Sequence, residues 1–507
     1  MLKKVSVILI LSLSLGFSAV NFPYPQEKSY GNGTINATSA NASANLKNKF
    51  TNFLRDFYEE SGNLARIKFD DKNYTVSEGI GYGMIMMVYF SDNTTSYQNH
   101  FDKLWEYYKK WPNMNGLMNW KIQGFTSVNQ YNAATDAEFD VAAALIMAHY
   151  QFGGQKYLAD AGSLVEKIRK YEMETNGLHK PGDNWNSKRN PSYVSPAAFE
   201  LFKDVDQASF WSTALTRNYT LLKNNQNSTT GLPSDWCNDN GGPVDNNDFG
   251  YDASRAPWRW AWANAWYGHE DAKTLLGKLA PWVNNKTPAG INGPINISSG
   301  NGGTCCSNST FLGPLTNALS YSSQYQTKMN SFWDALISKS NEQYFSAAMQ
   351  LITALLASGN MPNLKALSEG GTPSSSSVAS SSSSAPSSSS SPASSSSVGI
   401  SSSAASSSSV GISSSSPESS SSSEDVSPIV LPKAAFSNGL NAMQNAVNLQ
   451  AAGNATIQIF DLKGNEIRKF SFTQGSYVVH IADLGRGLYL VKASSGSWKQ
   501  TITVPVR

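Results

Sequence analysis

Cysteine is nearly absent: Cys237, Cys305 and Cys306 are the only three in 507 residues. So few exclude a disulfide-stapled scaffold. One bond from Cys237 to either Cys305 or Cys306 would leave one thiol over. No Cys-x-x-Cys or His-x-x-His spacing occurs, and the five histidines are scattered, so neither a structural zinc site nor a catalytic metal is expected. Charge of one sign is also missing. The formal net charge is +2, and charged residues make up 15% of the chain, too little for a nucleic-acid or membrane-surface field. No Gly-x-Ser-x-Gly elbow is present for a nucleophilic serine. Gly300-Asn301-Gly302-Gly303 lacks the Gly-Lys-Ser/Thr of a phosphate-binding loop.

Apolar runs long enough to span a bilayer are missing too. The one notable run, Val5 to Phe17, is too short and follows Lys3-Lys4. With small residues at Gly16, Ser18 and Ala19 it reads as a signal peptide over residues 1–19, and no cysteine follows to carry a lipid anchor. The mature chain is expected outside the cytoplasm.

What the chain does have is sharply partitioned. Residues 372–431 are dominated by serine and repeat Ser-Ser-Val-Gly-Ile. Such a tract buries too little apolar area to repay its ordering entropy, and it reads as a linker. Residues 432–507 alternate, as in Ala455-Thr456-Ile457-Gln458-Ile459-Phe460, with a turn signal at Asp461-Leu462-Lys463-Gly464-Asn465. Short strands at this spacing predict a small β-sandwich.

Residues 20–371 have the helical period. Leu158, Ala161, Leu164, Val165 and Ile168 share one face of 155–173; Tyr325, Met329, Phe332, Trp333 and Leu336 share one face of 324–340. Twelve such segments are expected, near 45–60, 78–91, 95–111, 134–152, 155–173, 194–203, 205–224, 254–267, 269–283, 308–322, 324–340 and 341–358. Very short turns, Gly153-Gly154 and Gly268 among them, join some into hairpins. Longer connections rich in Asn, Gly and Trp precede the fourth, sixth, eighth and tenth. Repeated antiparallel hairpins predict a closed (α/α)6 barrel. Twelve of the 13 tryptophans precede residue 340. They suit either a large core or an uncharged ligand with flat apolar faces, such as a sugar ring.

Three acidic residues open even-numbered helices: Glu78 the second, Asp136 the fourth, and Asp252 just before the eighth. In a barrel of alternating outer and inner helices, the even ones share a layer and a direction, so the three carboxylates converge on one face. Each alone reads as an ordinary helix cap. Gly79, Gly81 and Gly83 in one helical start are costly and imply close approach by backbone or ligand. Two carboxylates hydrolyse a glycosidic bond when one protonates the leaving oxygen and the other activates water or attacks carbon. Burial or a neighbour, for which Asp136 is placed, must raise the pKa of the acid.

Ser77-Glu78-Gly79-Ile80-Gly81-Tyr82-Gly83-Met84, Ala134-Thr135-Asp136-Ala137-Glu138-Phe139-Asp140-Val141-Ala142, Asn190-Pro191-Ser192-Tyr193 and Tyr251-Asp252-Ala253-Ser254-Arg255-Ala256-Pro257-Trp258-Arg259 together resemble glycoside hydrolase family 8, over roughly residues 26–360. The resemblance implies an (α/α)6 barrel and an inverting mechanism, with Glu78 as general acid, Asp252 as base and Asp136 holding the distorted sugar. Tyr251 and Tyr193 would line that subsite and help place the water. Trp120, Trp185 and Arg255 complete the expected substrate-binding set, Arg255 as a scaffold ion pair rather than a catalyst. The family usually carries Asp where this chain has Glu138, and Ile or Met where it has Val141.

The expected substrate is β-1,4-glucan, cut by an endo-acting cellulase without cofactor or metal. Xylan, mixed-linkage glucan and chitosan are the alternatives; the Asn- and Trp-bearing loops argue against the ammonium groups of chitosan. A non-catalytic sugar-binding protein would have lost Glu78 or Asp252. Ile459 to Gly464 and Leu484 to Val491 resemble C-terminal sorting tails of cellulolytic bacteria, which implies attachment at the cell surface; the chain is expected to act as a monomer. A carbohydrate-binding module is the rival for the tail, with Trp498 its one platform.

Overall fold

The computed structural model describes residues 20–39, 42–370 and 439–506, apart from 444–445, 452, 462–463, 474, 482–483 and 485–486. The expected signal peptide (1–19) and serine-rich linker (372–431) lie outside the described residues. The chain divides into two compact units, before and after residue 378.

The first unit holds α1 (Ala42–Phe57), α2 (Ser77–Phe90), α3 (Gln98–Lys110), α4 (Thr135–Phe152), α5 (Gln155–Tyr171), α6 (Pro196–Phe202), α7 (Ala208–Asn225), α8 (Ala256–Tyr267), α9 (Glu270–Asn284), α10 (Ser309–Ala318), α11 (Gln326–Ser338), α12 (Tyr344–Ala357) and a short α13 (Leu364–Ser368). All twelve expected helices are present; α13, five residues long, is too short to show a period in sequence. The even helices pack in a ring, α2 on α4, then α6, α8, α10, α12 and back to α2. The odd helices lie outside them, so the unit is an (α/α)6 barrel.

Composition explains which helices go inside. Every residue of α10 is buried, and so is every residue of α8 except Tyr267. The outer α5 buries only Tyr157, Ala161, Leu164, Val165 and Ile168. A helix apolar all round belongs in the inner ring, and a one-faced helix belongs outside it. In α2 the single residue that is not fully buried is Glu78.

Most of the tryptophan is core. Trp211, Trp258, Trp260, Trp262 and Trp333 are fully buried, whereas Trp185 is 38% exposed. The cysteine expectation is corrected: Cys305 bonds to Cys306, and Cys237 is a free buried thiol. Cys237 is held in a strand whose backbone pairs with Arg189, whereas the vicinal pair lies in the loop before α10.

Short strands brace the loops at the open face. After the hairpin β1 (Tyr58–Ser61) and β2 (Leu64–Ile67) comes β3 (Tyr74–Val76), which pairs with β4 (Lys121–Gln123), itself paired with β5 (Ser127–Gln130). Then β6 (Trp236–Cys237) pairs with β7 (Pro243–Val244), and β8 (Asp248–Phe249) pairs with β9 (Ile295–Asn296). Backbone bonds tie these loops together: Ser77 N donates to Trp120 O at 2.8 Å, and Trp120 N to Asn132 O at 2.8 Å.

The second unit is a two-sheet β domain. One sheet has the order β10 (Gly439–Met443), β11 (Ala446–Ala451), β14 (Gly475–His480); the other β13 (Glu466–Phe472), β12 (Ala455–Phe460), β15 (Gly487–Ser495), β16 (Trp498–Val506). Leu440, Val447, Leu449, Ile457, Ile459, Val491 and Val504 form its core, as the alternation in β12 requires.

Candidate active site

Glu78, Asp136 and Asp252 do arrive on one face, but not as caps. α2 and α4 have Val76 and Ala134 at their N-cap positions, with no side-chain cap bond. Their carboxylates turn instead to Arg255, which follows Asp252 by three residues. One nitrogen of Arg255, Nη1, donates to Glu78 Oε2 at 2.9 Å and to Asp136 Oδ2. Glu78 Oε1 accepts from the Tyr344 hydroxyl at 3.1 Å. Asp136 Oδ1 is buried and has no partner among the described residues.

The two carboxylates on Arg255 differ from a free one in the same direction. Glu78 keeps 18% of its side chain exposed, where the cavity reaches it, and is otherwise enclosed by protein. That enclosure pushes its carboxyl up to about 7; Arg255 pulls it down, and Asp136 adds to the rise. Asp136 is also raised, first by burial, against the pull of Arg255. Behind them Arg259 and Asp140 form a fully buried ion pair, with Arg259 Nη2 2.8 Å from Asp140 Oδ2.

The helical glycines serve helix and side-chain approach. A Cβ on Gly81 would sit 2.9 Å from Asp140 Cβ, where α2 crosses α4. One on Gly79 would sit 2.9 Å from the Tyr344 hydroxyl oxygen. These glycines therefore let Asp140 and Tyr344 close up behind Glu78.

Asp252 is held differently. No cation pairs with its carboxylate among the described residues. Oδ2 accepts from Trp236 Nε1 at 2.9 Å, and Oδ1 faces Asn190 Nδ2 at 3.4 Å. The neighbouring Asp235 carboxylate accepts from Gly250 N and Ala253 N, both at 2.8 Å, and so fixes the turn that carries Asp252. Burial pushes Asp235 up to about 6.

Glu78, Asp252, Arg255, Tyr251, Asp70 and Phe345 line one cavity of about 260 Å³. Tyr251 is 43% exposed, and its hydroxyl accepts from Asn308 Nδ2 at 3.4 Å. Tyr193 is buried, with its ring 5.2 Å from the Arg255 guanidinium. Trp185 packs 4.8 Å from Trp236, which in turn lies 6.3 Å from Tyr193. Trp120 is half-buried against the core and meets the site through the backbone of Ser77.

Sequence alone does not single out Trp236 or Tyr344. Tyr344 opens α12, an even-numbered helix, so the rule that gathers the acidic residues also finds Tyr344 once it is extended to hydroxyls. Trp236 carries a weaker signal, as a tryptophan in the Asn- and Gly-rich stretch before α8. Glu138 is fully buried and accepts from the Tyr108 hydroxyl at 2.9 Å; burial holds its carboxyl well above the usual range. Among the described residues no three His, Cys, Asp or Glu side chains are arranged so that they could hold a metal ion.

The profile described as Glycosyl hydrolases family 8 matches residues 21–359, and that of the secretion system C-terminal sorting domain matches residues 441–506. Endoglucanase 2 of Ruminiclostridium josui is 32% identical over 383 residues, 72% of this chain and 82% of that protein. A reducing end xylose-releasing exo-oligoxylanase of Halalkalibacterium halodurans is 24% identical over 345 residues, 60% of this chain and 84% of that protein. Among solved structures, a β-1,3-1,4-glucanase from Paenibacillus sp. X4 aligns with a TM-score of 0.63 and 25% identity, covering 68% of this chain and 99% of that one. By its barrel, its motifs and these matches, the chain is a glycoside hydrolase that belongs to family 8 and carries a C-terminal sorting domain.

Proposed function

We propose that the enzyme is an endo-acting, inverting β-1,4-glucanase, with Glu78 as general acid and Asp252 as general base. One observation carries this reading: two carboxylates on one cavity have opposite surroundings. Glu78 is desolvated and held protonated up to about pH 7, as a proton donor must be. Asp252 is served by the neutral donors Trp236 and Asn190, and no cation pairs with its carboxylate among the described residues, the setting expected of a group that accepts a proton from water.

In the reaction the Glu78 proton passes to the glycosidic oxygen as the bond to the anomeric carbon breaks. A water attacks that carbon from the opposite face and loses its proton to Asp252, so the new hydroxyl has inverted configuration. Asp136 Oδ1, buried and without a partner among the described residues, is suited to accept from a sugar hydroxyl, and the bond would strengthen as the ring flattens. Tyr251 and Trp185 offer exposed rings for sugar faces. Trp120 is tied to the start of the Glu78 helix through the backbone of Ser77.

Most of the named relatives support glucan over xylan, including Endoglucanase A of Acetivibrio thermocellus. The oligoxylanase and the mixed-linkage glucanase keep xylan and lichenan as the substrates to compare. The N-terminal run and the sorting domain support export, with retention at the cell surface. Product anomers on carboxymethylcellulose, xylan, lichenan and chitosan test the reading, with Glu78→Gln and Asp252→Asn beside the parent. α-Anomers from a β-glucan, lost in both variants, are expected. Retained configuration, or activity in Asp252→Asn, would refute it.

A further inference from the structure

The base has an unusual neighbour. The short bond to Asp252 comes from an indole, a side chain that donates once and accepts nothing. Trp236 Nε1 lies 2.9 Å from Oδ2, against 3.4 Å for Asn190 Nδ2 on Oδ1. The indole has little freedom. Its strand pairs with β7 at Trp236 opposite Val244 and Cys237 opposite Pro243. One residue before it, Asp235 grips Gly250 N and Ala253 N of the turn bearing Asp252. One residue after it, Cys237 exchanges backbone bonds with Arg189 at 2.7 and 2.9 Å. Above the ring, Lys188 Nζ stands 4.1 Å from the centroid and is ion-paired to Asp245.

We propose that Trp236 is a positioning residue for the base: it holds Oδ2 by its indole N–H, so that Oδ1 is the oxygen that takes the proton of the attacking water. A carboxylate with both oxygens equally free would rotate between two orientations, and only one can face the water. A donor to one oxygen removes that choice before the substrate arrives, which is the benefit of preorganisation. Asp235 and Trp236 act as consecutive clamps, one on the backbone of the turn and one on the side chain it carries.

The ring of Trp236 also supports Trp185, at 4.8 Å and a 42° tilt. Trp185 is the more exposed of the two and is placed to meet a sugar face. The two tryptophans therefore divide the work: Trp185 acts on binding and Trp236 on turnover.

This rests on Asp252 being the base, and the experiment separates the two claims. Steady-state kcat and KM would be measured on a soluble β-glucan the parent cleaves, for Trp236→Phe, Trp236→His, Trp185→Ala and Asp252→Asn, with melting temperatures alongside. In Trp236→Phe the ring remains and the donor is gone; kcat is expected to fall about tenfold or more, with KM within about twofold, since a hydrogen bond to a charge is worth more than one decade in rate. Trp236→His restores a ring N–H and is expected to recover part of that kcat even if it melts no higher than the Phe variant. Trp185→Ala, which removes the exposed ring, should raise KM by a larger factor than Trp236→Phe does. If Asp252→Asn is inactive while Trp236→Phe keeps the parent kcat, the positioning role is refuted and the base assignment stands. If Phe and His lose kcat in step with melting temperature alone, Trp236 is only structural and the proposal also fails. An active Asp252→Asn removes the base itself.

Discussion

The hydroxyl of Tyr344 donates to Glu78 Oε1 at 3.1 Å. A donor to a carboxylate favours the anion, so this bond works against keeping the acid protonated. Tyr344→Phe removes the donor and keeps the ring that lies against Gly79. A hydrogen bond to a charged group contributes roughly 1.5–3 kcal/mol, and one pH unit corresponds to about 1.4 kcal/mol. At 3.1 Å, with Arg255 on the other oxygen, the lower end applies, and a change of about one pH unit is expected. The sign follows from the state favoured: losing an anion-stabilising bond raises the pKa of Glu78, already about 7, so the acid stays protonated to higher pH. The basic limb of kcat/KM, which reports the free enzyme, should therefore move from about pH 7 to about pH 8. Initial rates at low substrate from about pH 5 to about pH 10 measure it. A basic limb that stays put or moves to lower pH would show that Glu78 is not the titrating acid, or that Tyr344 does not act on its charge.

Three further outcomes are expected. Glu172 is fully buried, and neither of its oxygens has a hydrogen-bond partner among the described residues. Burial, then Glu138, holds its carboxyl well above the usual range, with Asp183 and Asp136 adding to the rise and Tyr108 standing close by. A carboxyl raised in the folded state contributes stability at acid pH that is lost as pH climbs past its unfolded value near about 4.3. Glu172→Gln should therefore melt progressively higher than the parent from about pH 5 to about pH 8, on the order of 2–4 °C per kcal/mol restored; a constant difference would contradict this. Gly81→Ala would force a methyl to within 2.9 Å of Asp140 Cβ, which the Arg259 pair holds in place. A loss of about 1–3 kcal/mol is expected in denaturant unfolding, and an unchanged or higher midpoint would mean that α2 and α4 yield. Burial pushes the Cys237 thiol up to about 12, so a thiol reagent should find no fast-reacting group in the native protein and one group after unfolding. Three groups would mean that Cys305 and Cys306 are not bonded.

Much of the barrel was legible because helix periodicity is a local signal. The apolar faces of α5 and α11 are written in their own residues, and the contrast between one-faced and all-apolar helices sorts outer from inner. The convergence of Glu78, Asp136 and Asp252 followed from the parity of their helices alone. What was not legible depends on side chains meeting across long separations. Arg255 reaches Glu78 across 177 residues, and Tyr344 reaches it across 266. Nothing local to Trp236 says that its indole will face Asp252 rather than join Trp258 and Trp260 in the core. The cysteines failed for a related reason: spacing counts candidates but does not say that Cys237 is sealed beneath its own strand.

The register of β3 has a consequence for how the gene can change. Val76 pairs with Lys121, and the next residue already begins α2, with Glu78 one position further on. No loop separates the ladder from the helix. An added or lost codon between Asn73 and Glu78 would turn the acid by about 100° around the helix, or pull β3 out of step with β4. The turn that leads from Asp92 into α3 carries no such ruler: it joins no strand, and Asn93, Thr94 and Thr95 are exposed. Libraries built by length variation should find that turn permissive, and the stretch from Asn73 to Ser77 closed to any change of length.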